Sequence, residues 1–266
     1  MTLITDIHAH LLPGIDDGPE KMEDAIQMMS EVVASKTDRI IATSHYLHPH
    51  WQHNLSEVYA SFLRLRSELV INPAIHCRVE VAFGVEIQIS STLLLDIRNH
   101  QIPSLAESNY VLLELSSLGP TRNLFEVIHE LRVQGYKPIL AHPERSVLLR
   151  KNPAVLDHLM DNHVLFQVTA SSFLEMPGVK HLGESGQFAW KLLDKGMVHF
   201  IASDTHNTTS RPPGLLAAYD QIAIKKGDLA AEVLINNANA VWDNYECENI
   251  VVPNVKRNRW FSWLRG

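Results

Sequence analysis

The run Asp6-Ile7-His8-Ala9-His10-Leu11-Leu12-Pro13-Gly14-Ile15-Asp16-Asp17-Gly18 sets two imidazoles and two carboxylates directly behind a short apolar stretch. These are ligand groups for a divalent metal. Alternate side chains of an extended strand share a face, so His8 and His10, at the end of a strand over Leu3 to Ile7, point the same way. Pro13-Gly14 turns the chain and can bring Asp16 or Asp17 back toward them. Asp204 and His206 repeat this logic, two residues apart behind Phe200-Ile201-Ala202. Nitrogen and oxygen donors without thiolates suit zinc, manganese or iron in open catalytic sites better than a structural zinc site.

Two further carboxylates lie within strand-like runs, Glu114 in Val111-Leu112-Leu113-Glu114-Leu115 and Glu86 in Gly84-Val85-Glu86-Ile87. Each either faces solvent or is paired or metal-bound, because a lone buried carboxylate is costly. Two of them in a chain with paired histidines favour ligation. His142-Pro143-Glu144-Arg145 follows Pro138-Ile139-Leu140-Ala141 and adds an imidazole and a guanidinium, the planar fork suited to gripping phosphate.

The elements that must position these groups read as repeated βα units, with short β-branched runs alternating with amphipathic stretches. About seven strands are expected: Leu3 to Ile7, Arg39 to Ala42, Val79 to Ile87 with an interruption at Gly84, Tyr110 to Leu115, Pro138 to Ala141, Val164 to Thr169, and His199 to Ala202. Helices are expected over Met22 to Ser35, Ser56 to Val70, Thr92 to His100, Leu124 to Gln134, Ala154 to Asn162, Gly186 to Lys195, Pro213 to Lys226, and Leu229 to Asn236. In α/β barrels the functional groups sit at the C-terminal strand ends. His8, His10, His45, Glu86, Glu114, His142, Asp204 and His206 all fall at or near such ends.

At 266 residues and 45% hydrophobic content the chain suits one large domain, taken here as residues 1–254, followed by a basic, aromatic tail over 255–266. A net charge of −7 without a basic face argues against nucleic acid as a partner. Two cysteines, Cys77 and Cys247, are too few for a disulfide scaffold and fit a reducing cytoplasm. Neither a secretory leader nor a run of eighteen or more apolar residues is expected to direct the chain into or across a membrane.

The combination of Asp6-Ile7-His8-Ala9-His10, Gly14-Ile15-Asp16-Asp17-Gly18, Thr43-Ser44-His45, Gly84-Val85-Glu86, Ala141-His142-Pro143-Glu144-Arg145 and Ser203-Asp204-Thr205-His206-Asn207 resembles the polymerase and histidinol phosphatase (PHP) superfamily. Within it, the chain is most similar to the bacterial manganese-dependent protein-tyrosine phosphatases of capsule and exopolysaccharide operons. The resemblance covers essentially the whole chain, and the His-x-His-x-x-Pro-Gly-x-Asp-Asp-Gly run is its most specific part.

The resemblance implies an α/β fold, a distorted (β/α)7 TIM-like barrel with a metal cluster at the C-terminal strand ends. It implies two to three divalent cations, manganese first, with iron or zinc as alternatives. One would be held by His8, His10, Glu86 and Asp204, a second by Glu86, Glu114 and His142, and a third by Asp17, His45 and His206, with Asp17 rather than Asp16 as the ligand. Arg145 would bind phosphate, and His10, Asp204 and Arg145 are read as catalytic. The implied reaction is attack on phosphorus by a hydroxide bridging two metals. The implied substrate is phosphotyrosine on a membrane-associated tyrosine kinase that regulates polysaccharide synthesis, met at the inner face of the membrane. Charge arithmetic agrees: three divalent cations against Asp17, Glu86, Glu114 and Asp204 leave a surplus of about two positive charges for a phosphate dianion.

Set beside the resemblance, the segment Tyr46 to His53 reads as particular to this chain and is expected to bear on substrate access. His48, His50 and His53, with Trp51, read as a fourth metal site, a lid, or more plainly a surface loop near the mouth; His48 is taken as a substrate contact. In the tail, a short helix would put Trp260, Phe261 and Leu264 along one side, which suits peripheral membrane or partner contact as well as packing on the barrel itself or on a neighbouring subunit. Two other readings stand beside the leading one: a small-molecule phosphatase such as histidinol-phosphate phosphatase, and a non-catalytic metal-binding regulator.

Overall fold

The computed structural model describes residues 2–90, 92–99, 101–116, 123–174 and 183–249. The expected tail over 255–266 lies outside them. Nine strands are found among the described residues: β1 (Thr5–Ala9), β2 (Arg39–Ala42), β3 (His45–Tyr46), β4 (Glu80–Phe83), β5 (Glu86–Gln88), β6 (Tyr110–Glu114), β7 (Lys137–Ala141), β8 (Leu165–Thr169) and β9 (Phe200–Ala202). One sheet has the order β1-β2-β4 and the other β3-β5-β6-β7-β8-β9, with every pairing parallel. An isolated parallel bridge between Ala9 and Thr205, with Asp204 N–H donating to His8 O at 2.9 Å, links β1 to the chain leaving β9.

The nine strands correspond to the seven expected, because β2 with β3 and β4 with β5 are single strands broken in the middle. Hydrogen bonds from Gly84 N to Ala42 O (3.0 Å) and from Glu86 N to Ser44 O (3.1 Å) carry the pairing across both breaks. At Gly84 a Cβ would meet side-chain carbons of Ile41 and Leu105 at 2.8 Å, so only glycine lets the two strands and the 105–107 turn come this close. Glu86 therefore opens β5 rather than lying late in a continuous strand.

Strand residues alternate between two apolar clusters. Ile7, Ile41, Tyr110, Leu112, Ile139 and Phe200 belong to an inner cluster that also takes in Leu105, Ala238 and Val241. Val111, Leu113, Leu140 and Ile201 join the larger cluster packed against the helices. Burial on both faces is the condition of a parallel sheet covered by crossover helices.

The helices follow from apolar spacing. Met22–Ala34 buries Ala25, Met28, Met29 and Val32, a single stripe at i, i+3, i+4 and i+7. Leu55–Val70 starts on a capping box in which the Asn54 side chain accepts from Glu57 N and the Glu57 side chain accepts from Asn54 N. The last helix was expected to stop at Asn236, but runs over Asp228–Trp242. Asn237 is buried within it, its amide donating to His199 O (3.0 Å) and Glu248 O (2.8 Å), so a tertiary use of the side chain overrides its weak helix preference. Short helices at Pro73–His76 and Val147–Lys151 are too brief to show a period in sequence. No helix of the described residues is long and apolar enough to cross a membrane.

Candidate metal centre

All nine residues that the resemblance singles out as ligands come together at one end of the strands. Four groups bring donor atoms within 4.8 Å of one another: His10 with Asp17, His45 and His206; His8 with His10 and Asp204; His8 with Glu86 and His142; and His45 with Glu86 and Glu114. His8, His10, His45 and Glu86 each belong to two groups, so the arrangement is one connected cluster.

Local backbone sets the aim of these side chains. His8 lies within β1, and His10 just beyond it is anchored by its N–H on Thr205 O at 2.9 Å. His142 (φ 33°) and Asp204 (φ 53°), each within two residues of a strand's end, adopt left-handed backbone conformations. Such conformations are uncommon for non-glycine residues and persist where the surroundings enforce them. Here they turn a strand end sharply and re-aim its side chain.

Three histidines have Nδ1 engaged and Nε2 left toward the centre. His10 Nδ1 donates to Asp16 Oδ2 at 2.8 Å, His206 Nδ1 donates to Asp204 O at 2.9 Å, and His8 Nδ1 lies 2.9 Å from Gln167 Oε1. A metal-binding imidazole needs this arrangement, because the outer hydrogen bond fixes tautomer and ring orientation. The His8 and His10 Nε2 atoms then lie 3.1 Å apart. Glu86 Oε2 is 3.4 and 3.3 Å from them, and Asp204 Oδ1 3.6 and 3.7 Å. Donors about 2.1 Å from a common ion are separated by about 3.0 Å at octahedral and 3.4 Å at tetrahedral angles, so the spacing fits a shared cation.

Unpartnered polar atoms make the same point. Glu86 Oε2, Glu114 Oε2 and His45 Nδ1 are buried without a hydrogen-bond partner, and the two oxygens lie 3.2 and 3.5 Å from that nitrogen. Buried polar atoms are seldom left so. Cations bound in the cluster would give all three atoms partners.

Electrostatics show how strongly the cluster demands positive charge. Burial works against a charged His10, yet the Asp16 carboxylate on its Nδ1 holds it well above the usual imidazole range. Burial also opposes protonation of His142, but Glu86 at 2.8 Å lifts it to about 9. Burial and the neighbouring Glu86 charge push Glu114 up to about 7, while burial drives His45 down to about 4. Burial disfavours an ionised Glu86, yet His8 and His142 keep it well below the carboxylate range.

Two guanidiniums stand over the cluster. Arg145 Nη1 lies 2.5 Å from Asp204 Oδ2, and Arg211 Nη2 lies 2.8 Å from Asp204 Oδ1. Arg145 comes from the 143–145 turn, which buried Glu144 pins by accepting from Thr169 N and Ser172 Oγ, both at 3.0 Å. His48 and Trp51 line the cavity above the cluster, whose volume is about 640 Å³. His50 is exposed and His53 faces Glu57 at 3.7 Å, so neither joins His48 there.

Sequence reasoning missed Arg211 and Gln167, and the part that Asp16 plays. Arg211 lies five residues beyond His206, in Ser210-Arg211-Pro212-Pro213, and proximity to a ligand was its one signal. Asp16 was visible as a candidate ligand but not as the partner of His10. Gln167 is a polar residue at an inward position of an apolar strand, a pattern that could have marked it. Were three divalent cations to face five carboxylates, Asp16 included, the surplus would be about one; the two guanidiniums would raise it to about three, still favourable to a phosphate dianion.

Imidazoles and carboxylates at ligand spacing under paired guanidiniums, on a parallel α/β scaffold, define a metal-dependent hydrolase for an anionic substrate. Residues 4–243 match the family described as capsular polysaccharide synthesis, CpsB/CapC, and the chain belongs to that family. It is 30% identical over 266 residues to a putative tyrosine-protein phosphatase CapC of Staphylococcus aureus, covering 98% of this chain and 100% of the relative. It is 29% identical over 259 residues to tyrosine-protein phosphatase YwqE of Bacillus subtilis, covering 97% and 99%. A crystal structure from the work on YwqE of B. subtilis and CpsB of Streptococcus pneumoniae, unique metal-dependent tyrosine phosphatases, superposes with a TM-score of 0.85 at 28% identity, covering 93% of this chain and 97% of the other.

Proposed function

We propose that this chain is a metal-dependent protein-tyrosine phosphatase that removes phosphate from a membrane-associated tyrosine kinase governing capsule or exopolysaccharide synthesis. The observation that carries this is the convergence of His8, His10, Glu86 and Asp204 at cation-sharing distances beneath Arg145 and Arg211. Family membership and near full-length similarity to tyrosine-protein phosphatases support the reaction and substrate class. The site is taken to act in the cytoplasm at the inner face of the membrane, with residues 1–254 as one catalytic unit and 255–266 as a contact segment.

In this reading His8, His10, Glu86 and Asp204 hold one cation, Glu86, Glu114 and His142 a second, and Asp17, His45 and His206 a third. Manganese is proposed first, with iron or zinc as alternatives that the same donors accept. When bound, the cations lower the pKa of water and neutralise the charge on the phosphate. Arg145 and Arg211 orient the phosphate oxygens, which restrains the ester before reaction and stabilises charge as it shifts. Asp16 and Gln167 hold His10 and His8 in the tautomer that presents Nε2. A tyrosyl leaving group with a pKa of about 10 needs little help from a general acid.

The test is a side-by-side assay of a phosphotyrosyl peptide and histidinol phosphate, with manganese added and then chelated. Phosphate release from the peptide alone, lost on chelation and restored by manganese, is expected. Release from histidinol phosphate alone would assign a small-molecule phosphatase, and binding without release a non-catalytic regulator.

A further inference from the structure

The charged cluster fills only the floor of its cavity. Beside the charged groups the lining includes the apolar side chains of Trp51, Leu115, Val147 and Leu148. Val147 and Leu148 are large hydrophobic residues 54% and 44% exposed, and both line this cavity, so their open surface is available to a ligand there. They follow Arg145 directly because Ser146 caps the short helix, its hydroxyl accepting from Leu149 N at 3.3 Å. The phosphate-gripping guanidinium and the apolar pair therefore share one rigid turn.

Trp51 reaches the same cavity from another loop. Leu47 takes a left-handed conformation (φ 59°), which bends the chain after β3 and folds residues 48–51 back over the cluster. The Trp51 ring stacks on His45 at 4.7 Å with 3° between planes, and His48 lies 4.4 Å from it. A flat aromatic face is thus fixed beside the metal-ligand groups and partly open to the cavity.

We propose that Trp51, with Leu148 and its neighbour Val147, forms a subsite for the phenyl ring of the substrate and selects aryl over alkyl phosphate monoesters. This rests on the phosphatase reading and adds the residues of this chain that read the ring. Ester groups of the two kinds present the same dianion to the cations, Arg145 and Arg211, so discrimination in binding, apart from the reactivity of the leaving group, comes from the apolar wall. A ring against aromatic and aliphatic faces is favoured by area burial and by stacking geometry, enough for about a tenfold preference.

Competitive inhibition by phenylphosphonate and methylphosphonate tests this with leaving-group chemistry removed. The manganese-loaded wild type is expected to bind phenylphosphonate about tenfold more tightly. Trp51→Ala and Leu148→Ser should each reduce that ratio several-fold, with methylphosphonate inhibition and bound manganese unchanged. A ratio near one in the wild type, or a ratio untouched in both variants, would overturn the subsite. So would a parallel loss of both inhibitors and of metal in Trp51→Ala with Leu148→Ser silent, since Trp51 would then only brace His45. The phosphatase reading fails separately, through absence of phosphotyrosyl hydrolysis by the wild type.

Discussion

His10 Nδ1 donates to the Asp16 carboxylate at 2.8 Å, and the same carboxylate accepts from His45 N at 2.9 Å and Gly18 N at 3.0 Å. One buried carboxylate thus ties the first loop to the backbone of the residue that opens β3, and aims the His10 imidazole. Asp16 itself does not join a ligand group.

Asp16→Asn keeps the volume but removes the charge that fixes the His10 tautomer and raises its basicity. Metal affinity and phosphatase activity should fall by about 10- to 100-fold. Manganese titration of activity, with metal content measured after dialysis, checks this. An activity profile matching wild type would remove Asp16 from the site's support.

Arg145 and Arg211 contact opposite oxygens of Asp204, at 2.5 and 2.8 Å. Replacing either with Ala should lower kcat/KM for a phosphotyrosyl peptide by on the order of a hundredfold, the usual effect of losing one donor to developing charge. The double variant should lose less than the product of the single losses, because both groups act on one phosphate. Steady-state kinetics on the three variants decide it.

How much of this was legible without coordinates depends on the range of each signal. His8, His10, Asp204 and His206 were visible because period-two spacing at a strand end is a local pattern. The break at Gly84 was visible too, since glycine in a strand signals a close approach. The matching break at Thr43-Ser44 carries no such residue and was missed. Arg211 was missed because its role depends on the path of the chain after His206, where its own backbone carbonyl accepts from Thr205 Oγ1 and from His206 N. Choosing Asp17 over Asp16 needed family resemblance, since turn geometry alone allowed either; the structure gives the two neighbours different partners, His10 and His45 N for one, His206 Nε2 at 3.1 Å for the other.

Metal binding should be steeply pH-dependent. His142, raised to about 9, and Glu114, raised to about 7, must both lose protons before they ligate, so apparent affinity rises with pH through this range and binding releases protons. Calorimetric titration of manganese in buffers of different ionisation enthalpy at pH 6.5 and 8.5 should show tighter binding and fewer protons released at the higher pH. Chelation should also lower thermal stability, because a ligand at a hundred times its Kd stabilises the fold by about 2.7 kcal/mol. Equal Tm values with and without manganese would contradict cation binding in the folded state.

At the opposite end of β9, His199 offers a stability test independent of the metals. Burial holds its imidazole at about 4, and Nδ1 accepts from Phe166 N at 3.0 Å, so a proton there would set two donors against each other. The unfolded chain binds that proton near pH 6.5, above the folded value. Between the two the unfolded state carries more protons, so stability is fully present above about 6.5 and falls as pH drops toward 4, by about 3 kcal/mol in all. His199→Asn can keep an acceptor oxygen near the Phe166 N–H without a titrating ring. Denaturant unfolding at pH 8 and pH 5 should show a smaller acid-side loss in this variant than in wild type, and an equal loss in both would exclude His199 as the source.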